Sequence, residues 1–332
     1  MKKYNVAVVG ATGVVGSTFL KVLAEYHFPI DNLVLLASSK SAGKKIDYEG
    51  KKVVVEELKE DSFVGRNLDI ALFSAGAKVS LQFAPLAAKE GILVIDNSSA
   101  WRNDPDKALV VPEVNPFDIT PKGIIANPNC STIQSIIPLK ALDDKYHLTR
   151  VNYTTYQAVS GSGMKGILDL ERTLKGEKNE FYPYDISKTC IPEIDVFLDN
   201  GYTKEEMKMV NETRKMLHRP DLAISATCVR VPVFNSHGVS IVCEMEKEFD
   251  LDDIRKLFKD YPGLVLVDDP QNHIYPVSTL STGNDNVYVG RIRRDLSTKN
   301  GLIFYCTGDN IRKGAASNAI QIALYAINHN ML

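Results

Sequence analysis

Apolar runs alternate with helical stretches along the first 142 residues of the chain. Short strands are predicted at residues 4–9, 33–36, 53–55, 70–73, 93–95 and 124–126. Helices are predicted in several of the gaps, at residues 17–25, 80–90 and 133–142. Strands that alternate with helices indicate an α/β domain with a parallel, doubly wound sheet.

The pattern changes after residue 150, where several strands follow one another without a helix between them. These strands are predicted at residues 151–159, 224–233, 239–246, 264–267, 287–293 and 302–307. Helices are predicted at residues 164–174, 203–217 and 251–260, and an apolar helix runs to residue 330. This order favours an α+β domain with a mostly antiparallel sheet.

The length of the chain also predicts two domains, because 332 residues exceed one ordinary hydrophobic core. We place the first domain at residues 1–128 and the second at residues 129–312. The C-terminal helix, within residues 313–332, is expected to pack back on the first domain.

A glycine-rich turn, Gly-Ala-Thr-Gly-Val-Val-Gly, follows the first predicted strand and precedes the first helix. Glycines let the backbone approach a pyrophosphate, and the helix N-terminus offers N–H donors. The spacing is G-x-x-G-x-x-G, so its position between a strand and a helix distinguishes it from an ordinary tight turn. We therefore expect a Rossmann-type dinucleotide site with contacts from Gly10, Thr12, Gly13, Val14 and Val15.

The loop after the second strand indicates which dinucleotide binds. An NAD site usually places an acidic residue there, on the ribose 2′-hydroxyl, and residues 37–41 contain none. Two hydroxyls and a lysine, Ser38, Ser41 and Lys40, suit a 2′-phosphate, so the cofactor is predicted to be NADP. A solvated polar loop is the alternative interpretation.

Residues 127–132, Asn-Pro-Asn-Cys-Ser-Thr, place a cysteine where a strand, a turn and a helix start meet. Ser131 or Thr132 can cap that helix. Cys130 would then lie at the positive end of the helix, where the dipole and unpaired N–H groups favour a thiolate and can hold an oxyanion. Most free cysteines are buried small hydrophobes, but this polar turn favours a nucleophile.

The other cysteines have no nearby group that would activate a thiol. We expect them to be buried small hydrophobic residues: Cys190, Cys228, Cys243 and Cys306.

Polar residues follow strands elsewhere in the chain. Arg102 comes shortly after strand 93–95 and suits phosphate or carboxylate, or else a surface salt bridge. Gln157 is expected to orient a substrate, and the turn with Ser160 and Gly161 to approach the nicotinamide half of the cofactor. Asn318, near the small-residue start of the last helix, is expected close to the cofactor.

An arginine and a histidine stand seven residues apart in the second half. Arg230 lies in an otherwise apolar strand, and a buried guanidinium requires a carboxylate from the protein or a ligand. His237 is predicted in the turn that closes this strand. A histidine in a loop is commonly solvated, but together with Cys130 it is the minimum set for thiol catalysis.

Composition narrows the classes of function. A formal net charge of −2 provides no basic surface for nucleic acid. No apolar run is long enough to cross a bilayer, and the N-terminus shows no signal sequence, so we expect a cytoplasmic protein without a membrane partner. Five cysteines without a C-x-x-C pair and six histidines without ligand spacing predict no disulfide framework and no metal.

The motifs together resemble the aspartate-semialdehyde dehydrogenase family, in particular its short-insertion form from Gram-positive bacteria. They follow the family's order over nearly the whole chain, at residues 10–13, 38–44, 109–115, 127–132, 155–161, 211–215, 227–232 and 313–316. One departure lies between Leu174 and Ile194, where the chain looks shorter than its relatives, in a region expected to help cover the site or the dimer interface.

The resemblance implies a role for each matching residue. Cys130 would be the acyl-thioester nucleophile and His237 the acid/base. Gln157 would hold the substrate near Cys130, Arg230 would bind its α-carboxylate and Glu212 would face its amino group.

Arg102 and Lys215 would hold the phosphate by the same resemblance. The family is an NADP-dependent homodimer, sometimes a tetramer, of lysine, threonine and methionine biosynthesis, including the diaminopimelate route. The resemblance implies small-molecule substrates and one reaction, the NADPH-dependent conversion of L-4-aspartyl phosphate to L-aspartate 4-semialdehyde and inorganic phosphate.

Two other functions stay open. An N-acetyl-γ-glutamyl-phosphate reductase performs the same chemistry on a longer, acylated substrate, although Glu212 favours a free amino group. A non-catalytic NADP-binding sensor would use Cys130 only as a redox thiol.

Overall fold

The structure, a computed structural model, describes residues 2–332. These residues divide into two units. The first unit contains the described residues up to Pro128 and Ala315–Leu332, and the second contains Asn129–Gly314.

An eight-stranded sheet forms the centre of the first unit, with the strand order β3-β4-β2-β1-β5-β6-β8-β7. Its strands are β1 (Tyr4–Val9), β2 (Ile30–Ala37), β3 (Lys45–Tyr48), β4 (Lys51–Glu57), β5 (Ile70–Phe73), β6 (Leu93–Asp96), β7 (Ala108–Leu109) and β8 (Gly123–Ala126). The first helices are α1 (Val14–Glu25) and α2 (Ala77–Lys89). All pairings are parallel except β3 with β4, which confirms the predicted doubly wound sheet.

The sheet is buried on both faces, which explains its nearly continuous apolar strands. Along β1, Val6 and Val8 belong to one hydrophobic cluster, whereas Ala7 and Val9 belong to another. Successive side chains of a strand point to opposite faces, so the two clusters cover opposite faces of the sheet.

The second unit contains a six-stranded sheet with the order β10-β9-β11-β14-β13-β12. Its strands are β9 (Leu148–Gln157), β10 (Ala223–Arg230), β11 (His237–Met245), β12 (Leu264–Leu266), β13 (Val287–Arg294) and β14 (Gly301–Gly308). Three of its five pairings are antiparallel and two are parallel, so the prediction of a mostly antiparallel sheet is confirmed.

Five helices accompany this sheet: α3 (Cys130–Tyr146), α4 (Met164–Leu174), α5 (Lys204–Met216), α6 (Leu251–Asp260) and α7 (Ser278–Ser281). The longest, α3, is buried along most of its length, and it contacts β9, β11 and β14 as well as α5. Its first residue is Cys130, so the helix that packs on the sheet also presents the predicted nucleophile.

The last helix, α8 (Ser317–Asn328), returns to the first unit. Ala319, Ile320 and Ala323 of α8 share a hydrophobic cluster with Phe19 and Val22 of α1. Within residues 2–332, no helix is long and apolar enough to span a membrane. The same residues contain no group of three or more His, Cys, Asp or Glu side chains arranged to hold a metal ion.

Candidate active site

The helix that carries Cys130 is capped by the residue before it. The side-chain oxygen of Asn129 accepts hydrogen bonds from the backbone N–H groups of Ser131 and Thr132, at 3.0 and 3.2 Å. The expectation that Ser131 or Thr132 provides the cap is wrong, because the helix already begins at Cys130. These two N–H groups bind the cap, so they do not supply the predicted oxyanion contacts. Cys130 still lies in the first turn, where the helix dipole favours a thiolate.

Two buried carboxylates of α5 hold Asn129. Glu212 Oε2 accepts from the Asn129 backbone N–H at 2.6 Å, and Glu205 Oε1 accepts from its side-chain amide at 2.8 Å. Glu205 is also paired with Lys208 at 3.0 Å. Burial opposes ionisation of Glu205, but the charge of Lys208 and the Asn129 hydrogen bond together lower the pKa of this carboxyl. The turn before Cys130 is therefore fixed by charged acceptors.

Gln157 lies at the end of β9 and is buried. Its amide nitrogen donates to Thr155 Oγ1 at 3.2 Å and to Glu205 Oε1 at 3.3 Å. Gln157 and Asn129 thus share one acceptor, Glu205 Oε1. The amide predicted to orient a substrate is connected to the cysteine turn through that carboxylate.

Cys130 and His237 meet although 107 residues separate them in the chain. The distance from Cys130 Sγ to His237 Nε2 is 3.3 Å. The other ring nitrogen, Nδ1, accepts a hydrogen bond from the backbone N–H of Ala158 at 2.9 Å. His237 is the first residue of β11 and is fully buried, so the prediction that it lies in the turn that closes β10 is wrong. The turn ends one residue earlier, at Ser236, whose positive φ of 70° directs the chain into the strand.

The environment of His237 disfavours a second proton on the ring. Burial and, after it, the charge of Arg230 lower the pKa of His237 well below its usual value. A neutral imidazole next to the sulfur is the consequence.

Arg230 ends β10, opposite Gln157 of β9 in the parallel pairing. The residue is 4% exposed, and its Nη1 donates to the backbone oxygen of Ala158 at 2.6 Å. Its Nε has no hydrogen-bond partner among residues 2–332. A buried guanidinium with an unsatisfied donor requires an anion, so this position fits a ligand carboxylate.

Two glycines allow the reactive side chains to come this close. A Cβ at Gly314 would lie 2.9 Å from Cys130 Cβ, and one at Gly161 would lie 2.9 Å from Arg230 Nη1 and 3.3 Å from His237 Nε2. Gly161 was predicted as a cofactor contact, whereas Gly314 was missed. The Lys-Gly-Ala-Ala sequence at residues 313–316 was the only signal of close packing near Gly314.

Asn310 was also missed by sequence analysis. Its side-chain oxygen accepts from the Ser236 backbone N–H at 2.8 Å, and its amide donates to Ser160 Oγ at 2.9 Å. Asn310 therefore joins the turn that contains Ser160 to the turn that leads into His237. Nothing in the local sequence predicts this, since its partners lie 74 and 150 residues away.

Three of the other cysteines are buried in the sheet, as predicted. Burial raises the pKa of Cys228, Cys243 and Cys306, in the last case to about 12. Cys190 is exposed, so its assignment as a buried hydrophobe is wrong. It lies between α4 and α5 in a segment of turns, where no sheet covers it.

In the first unit, the glycine turn has the geometry that a phosphate requires. Gly10 has a φ of +86°, and a Cβ there would lie 2.4 Å from Ser74 O. Gly13 is the N-cap of α1, and in the described part of the chain no side chain caps this helix. Val14 and Val15 form its first turn, so their end of the helix presents backbone donors in the way that dinucleotide sites do.

The predicted 2′-phosphate loop lies beside the glycine turn. Thr12 Oγ1 and Ser41 Oγ are 3.2 Å apart, and the short turn Ser39–Ser41 follows Ser38 at the end of β2. Lys40 in this turn is exposed. The loop thus combines hydroxyls and a cation next to the pyrophosphate turn, as an NADP site requires.

Arg102 is buried in the first unit. Its Nε donates to Asn127 O and its Nη2 to Asn97 O, each at 2.9 Å. The surface salt bridge considered for Arg102 is therefore wrong, because these donors bind backbone oxygens at the ends of β8 and β6. The arginine fixes these strand ends.

Asn318 lies in α8 and is buried. Its amide nitrogen donates to Val110 O at 2.9 Å and to Asn127 Oδ1 at 2.7 Å. Asn127 in turn donates to Asn97 Oδ1 at 2.6 Å and to Ala315 O at 3.1 Å. The amide nitrogen of Asn318 thus donates to two protein oxygens, and its place near the cofactor stays a prediction.

Lys215 stands three residues after Glu212 on α5 and is half-buried. It lines an open pocket of about 500 Å³ together with Asn211, Arg214, His218 and Pro220.

Comparisons with known proteins agree with both units. Residues 5–121 match the family described as semialdehyde dehydrogenase, NAD binding domain, and residues 139–313 match semialdehyde dehydrogenase, dimerisation domain. An aspartate-semialdehyde dehydrogenase of Aquifex aeolicus is 52% identical over 99% of both chains, and that of Bacillus subtilis is 46% identical over 96% of both.

Solved structures give the same result. Aspartate semialdehyde dehydrogenase II of Vibrio cholerae, complexed with ASA, has a TM-score of 0.94 at 44% identity and covers 99% of each chain. The enzyme of Candida albicans with NADP has a TM-score of 0.81 at 25% identity over the whole of both chains.

A dinucleotide fold joined to a unit that holds a cysteine–histidine pair defines the class of the semialdehyde dehydrogenases, and both family matches agree with it. Within that class, the chain belongs to the aspartate-semialdehyde dehydrogenase family. Whether it has the short-insertion form stays a prediction.

Proposed function

We propose that the protein catalyses the NADPH-dependent reductive dephosphorylation of L-4-aspartyl phosphate to L-aspartate 4-semialdehyde. The observation that supports this most directly is the cluster around Cys130. Its sulfur lies 3.3 Å from His237 Nε2, and Arg230, with an unpaired Nε, binds the backbone oxygen of Ala158, the residue whose N–H binds His237. The names of the relatives supply the substrate.

Cys130 begins the reaction. Its thiolate attacks the acyl carbon of the aspartyl phosphate and forms a C–S bond, the bond from that carbon to the phosphate oxygen breaks, and inorganic phosphate leaves. The product is a thioester on Cys130. The N-terminus of α3 stabilises the thiolate before the attack.

The residues of the first unit fit NADPH. Gly10, Gly13 and the backbone of Val14 and Val15 would hold the pyrophosphate, while Thr12, Ser38, Lys40 and Ser41 would hold the 2′-phosphate. Ser160, Gly161 and Asn318 are the proposed contacts of the nicotinamide half. When bound, NADPH supplies the hydride that reduces the thioester carbon.

The remaining steps use residues of the second unit. His237 is the proposed acid/base group at the reduced thioester, where the C–S bond breaks and the aldehyde is released. Arg230 would bind the α-carboxylate of the substrate through the fork that includes its unpaired Nε. Gln157 would hold the substrate next to Cys130.

Glu212 is the proposed partner of the substrate's amino group, because its carboxylate lies at the Asn129 backbone, directly before Cys130. Arg102 and Lys215 are proposed to bind the phosphate.

A homodimer is the proposed assembly, with a tetramer as the larger alternative, because residues 139–313 match a dimerisation domain. The exposed apolar side chains of α4, Met164 and Leu168, and Phe181 after it suit such an interface. The proposed setting is lysine, threonine and methionine biosynthesis in the cytoplasm.

A single assay tests the function. Purified protein is mixed with L-aspartate 4-semialdehyde and NADP, with and without inorganic phosphate, and NADPH is followed by absorbance; NAD replaces NADP in a parallel series. We expect NADPH to form only when phosphate is present, more slowly with NAD, and not at all with Cys130→Ser. Faster turnover of the N-acetyl-γ-glutamyl substrate would favour the reductase alternative. No NADPH with either substrate would favour the sensor.

A further inference from the structure

Both backbone groups of one peptide residue, Ala158, are directed at the active site. Its N–H donates to His237 Nδ1 at 2.9 Å, and its carbonyl accepts from Arg230 Nη1 at 2.6 Å. Ala158 is fully buried and follows β9, so the sheet fixes the direction of both bonds. Arg230 and His237 thus bind the two successive peptide groups that flank the Ala158 Cα.

The bond from Ala158 determines where the imidazole carries its proton. A backbone N–H can only donate, so Nδ1 must present its lone pair. A neutral imidazole has one ring proton, which must then sit on Nε2, the nitrogen 3.3 Å from Cys130 Sγ. A doubly protonated ring would direct its Nδ1–H against the N–H of Ala158, which removes a hydrogen bond and replaces it with a repulsion.

We infer that the Ala158 peptide locks His237 in the neutral Nε2–H tautomer, so that His237 acts as a hydrogen-bond donor to sulfur and oxygen and not as the base that deprotonates Cys130. The catalytic part of this inference rests on the proposed function, whereas the tautomer does not. It replaces the acid/base role proposed above for His237 with that of a hydrogen-bond donor that transfers no proton.

The reaction balances without a proton moving to His237. The Cys130 thiol loses its proton to solvent, and the thiolate accepts the Nε2–H. Hydride addition to the thioester leaves an alkoxide on the former carbonyl oxygen. This oxygen re-forms the C=O bond while the C–S bond breaks and its electron pair returns to sulfur. A fixed donor stabilises the charge first on sulfur and then on oxygen.

The groups that face His237 from neighbouring elements differ in the protonation state that they favour. Cys130 approaches from α3, and its thiolate would favour a positive ring. Arg230 approaches from β10 and opposes it, as burial does. The residue opposite His237 on β14 is Gly308, and Gly161, in the turn after β9, lies so near that a Cβ there would be 3.2 Å from the ring, so neither neighbour adds a charge. The hydrogen bond from the Ala158 N–H therefore acts together with burial and the charge of Arg230 to keep the His237 ring neutral.

Nitrogen NMR tests the tautomer directly. Protein labelled with ¹⁵N-histidine is recorded between about pH 6 and pH 9, the range in which an ordinary histidine loses its proton. The His237 signals are assigned by their absence in His237→Gln. We expect a pyridine-type Nδ1 and a pyrrole-type Nε2 throughout, both in wild-type protein and in Cys130→Ser. The Nδ1–H tautomer, or a doubly protonated ring that disappears in Cys130→Ser, would overturn the inference.

Two matched variants test the donor role. Glutamine can place an amide N–H near the position of Nε2, whereas asparagine reaches only to that of Nδ1, and neither transfers a proton near neutral pH. We expect His237→Gln to keep a kcat/KM roughly tenfold or more above that of His237→Asn, because general acid–base catalysis, worth about 10²–10⁴-fold where it is required, is not needed here. Equal losses in both variants, with the Nε2–H tautomer present, would show that proton transfer is required and would overturn the donor role.

Discussion

At the scale of single residues, the position of Cys130 Sγ depends on the lack of a Cβ at Gly314. Gly314 packs against Cys130, and any side chain at that position would begin 2.9 Å from Cys130 Cβ and 3.3 Å from its Cα. Carbon atoms do not approach each other this closely in a folded protein, so the neighbour must move. Because Cys130 is bound to the fixed turn at Asn129, its side chain is the part that would shift.

Gly314→Ala should therefore move Cys130 Sγ away from His237 and from the acyl carbon. A displacement of about 1 Å at a reacting group can reduce turnover roughly 100-fold, and we expect a loss of this order in kcat. Steady-state kinetics and the rate of Cys130 alkylation by iodoacetamide would measure it.

Gly301→Ala is the matched control: Gly301 begins β14, and a Cβ there would lie 2.4 Å from Thr298 Cγ2 and 2.6 Å from Asp295 Cβ, so the substitution also forces a side chain to move but touches no active-site residue. It should leave both rates near those of the wild type. Unchanged kinetics in Gly314→Ala would show that the cysteine does not depend on this contact.

Residue-level chemistry was predictable from sequence where it depends on local context. The polar turn after β8 identified Cys130, and an arginine in an apolar strand identified Arg230 as a buried cation. The burial of His237 was not predictable, since it depends on β14 and the peptide of Ala158, 79 residues before it. The small residues at 313–316 indicated close packing near Gly314 but not its contact with Cys130, because that contact is tertiary.

At the scale of elements, the start of α3 connects stability to chemistry. Asn129 caps the helix with its oxygen, donates its amide to Glu205 and donates its backbone N–H to Glu212. Only the first two of these contacts depend on the side chain. Substitutions at this one position can therefore separate capping from the contact with Glu205.

Asn129→Ala should remove the cap, at a cost of about 1 kcal/mol, and leave Glu205 without one of its donors. Asn129→Ser keeps a capping oxygen but loses the Glu205 contact. We expect faster hydrogen exchange at the Ser131 and Thr132 amides in Asn129→Ala only, and a lower melting temperature for alanine than for serine. Identical exchange in the two variants would contradict the assignment of the cap.

Element boundaries show where sequence patterns were sufficient. The apolar strands of the first sheet were predicted close to their observed bounds because both of their faces are buried. The β3–β4 hairpin was missed, although Glu49 and Gly50 have φ values of 49° and 80° and form the two-residue turn typical of hairpins. The β3 strand has only half-buried and exposed residues, so its apolar content was too low to indicate a strand.

At the scale of the whole molecule, two different sheets follow from two different patterns in one chain. Strands separated by helices gave the parallel sheet, and strands in direct succession gave the mixed one. The parallel pairs β9–β10 and β12–β13 could not be predicted, because the choice of partner depends on packing between distant segments. The proposed division of labour is that the first unit binds the nucleotide while the second holds the substrate and the sulfur.

The most direct test of this account is to trap the acylated protein. Wild-type protein and Cys130→Ala are mixed with L-4-aspartyl phosphate in the absence of NADPH, quenched in acid and analysed by peptide mass spectrometry. We predict one aspartyl group on the peptide that contains Cys130, removable by hydroxylamine, with a matching release of inorganic phosphate, and none in Cys130→Ala. Phosphate release without an adduct, or an adduct on another residue, would contradict a thioester at Cys130.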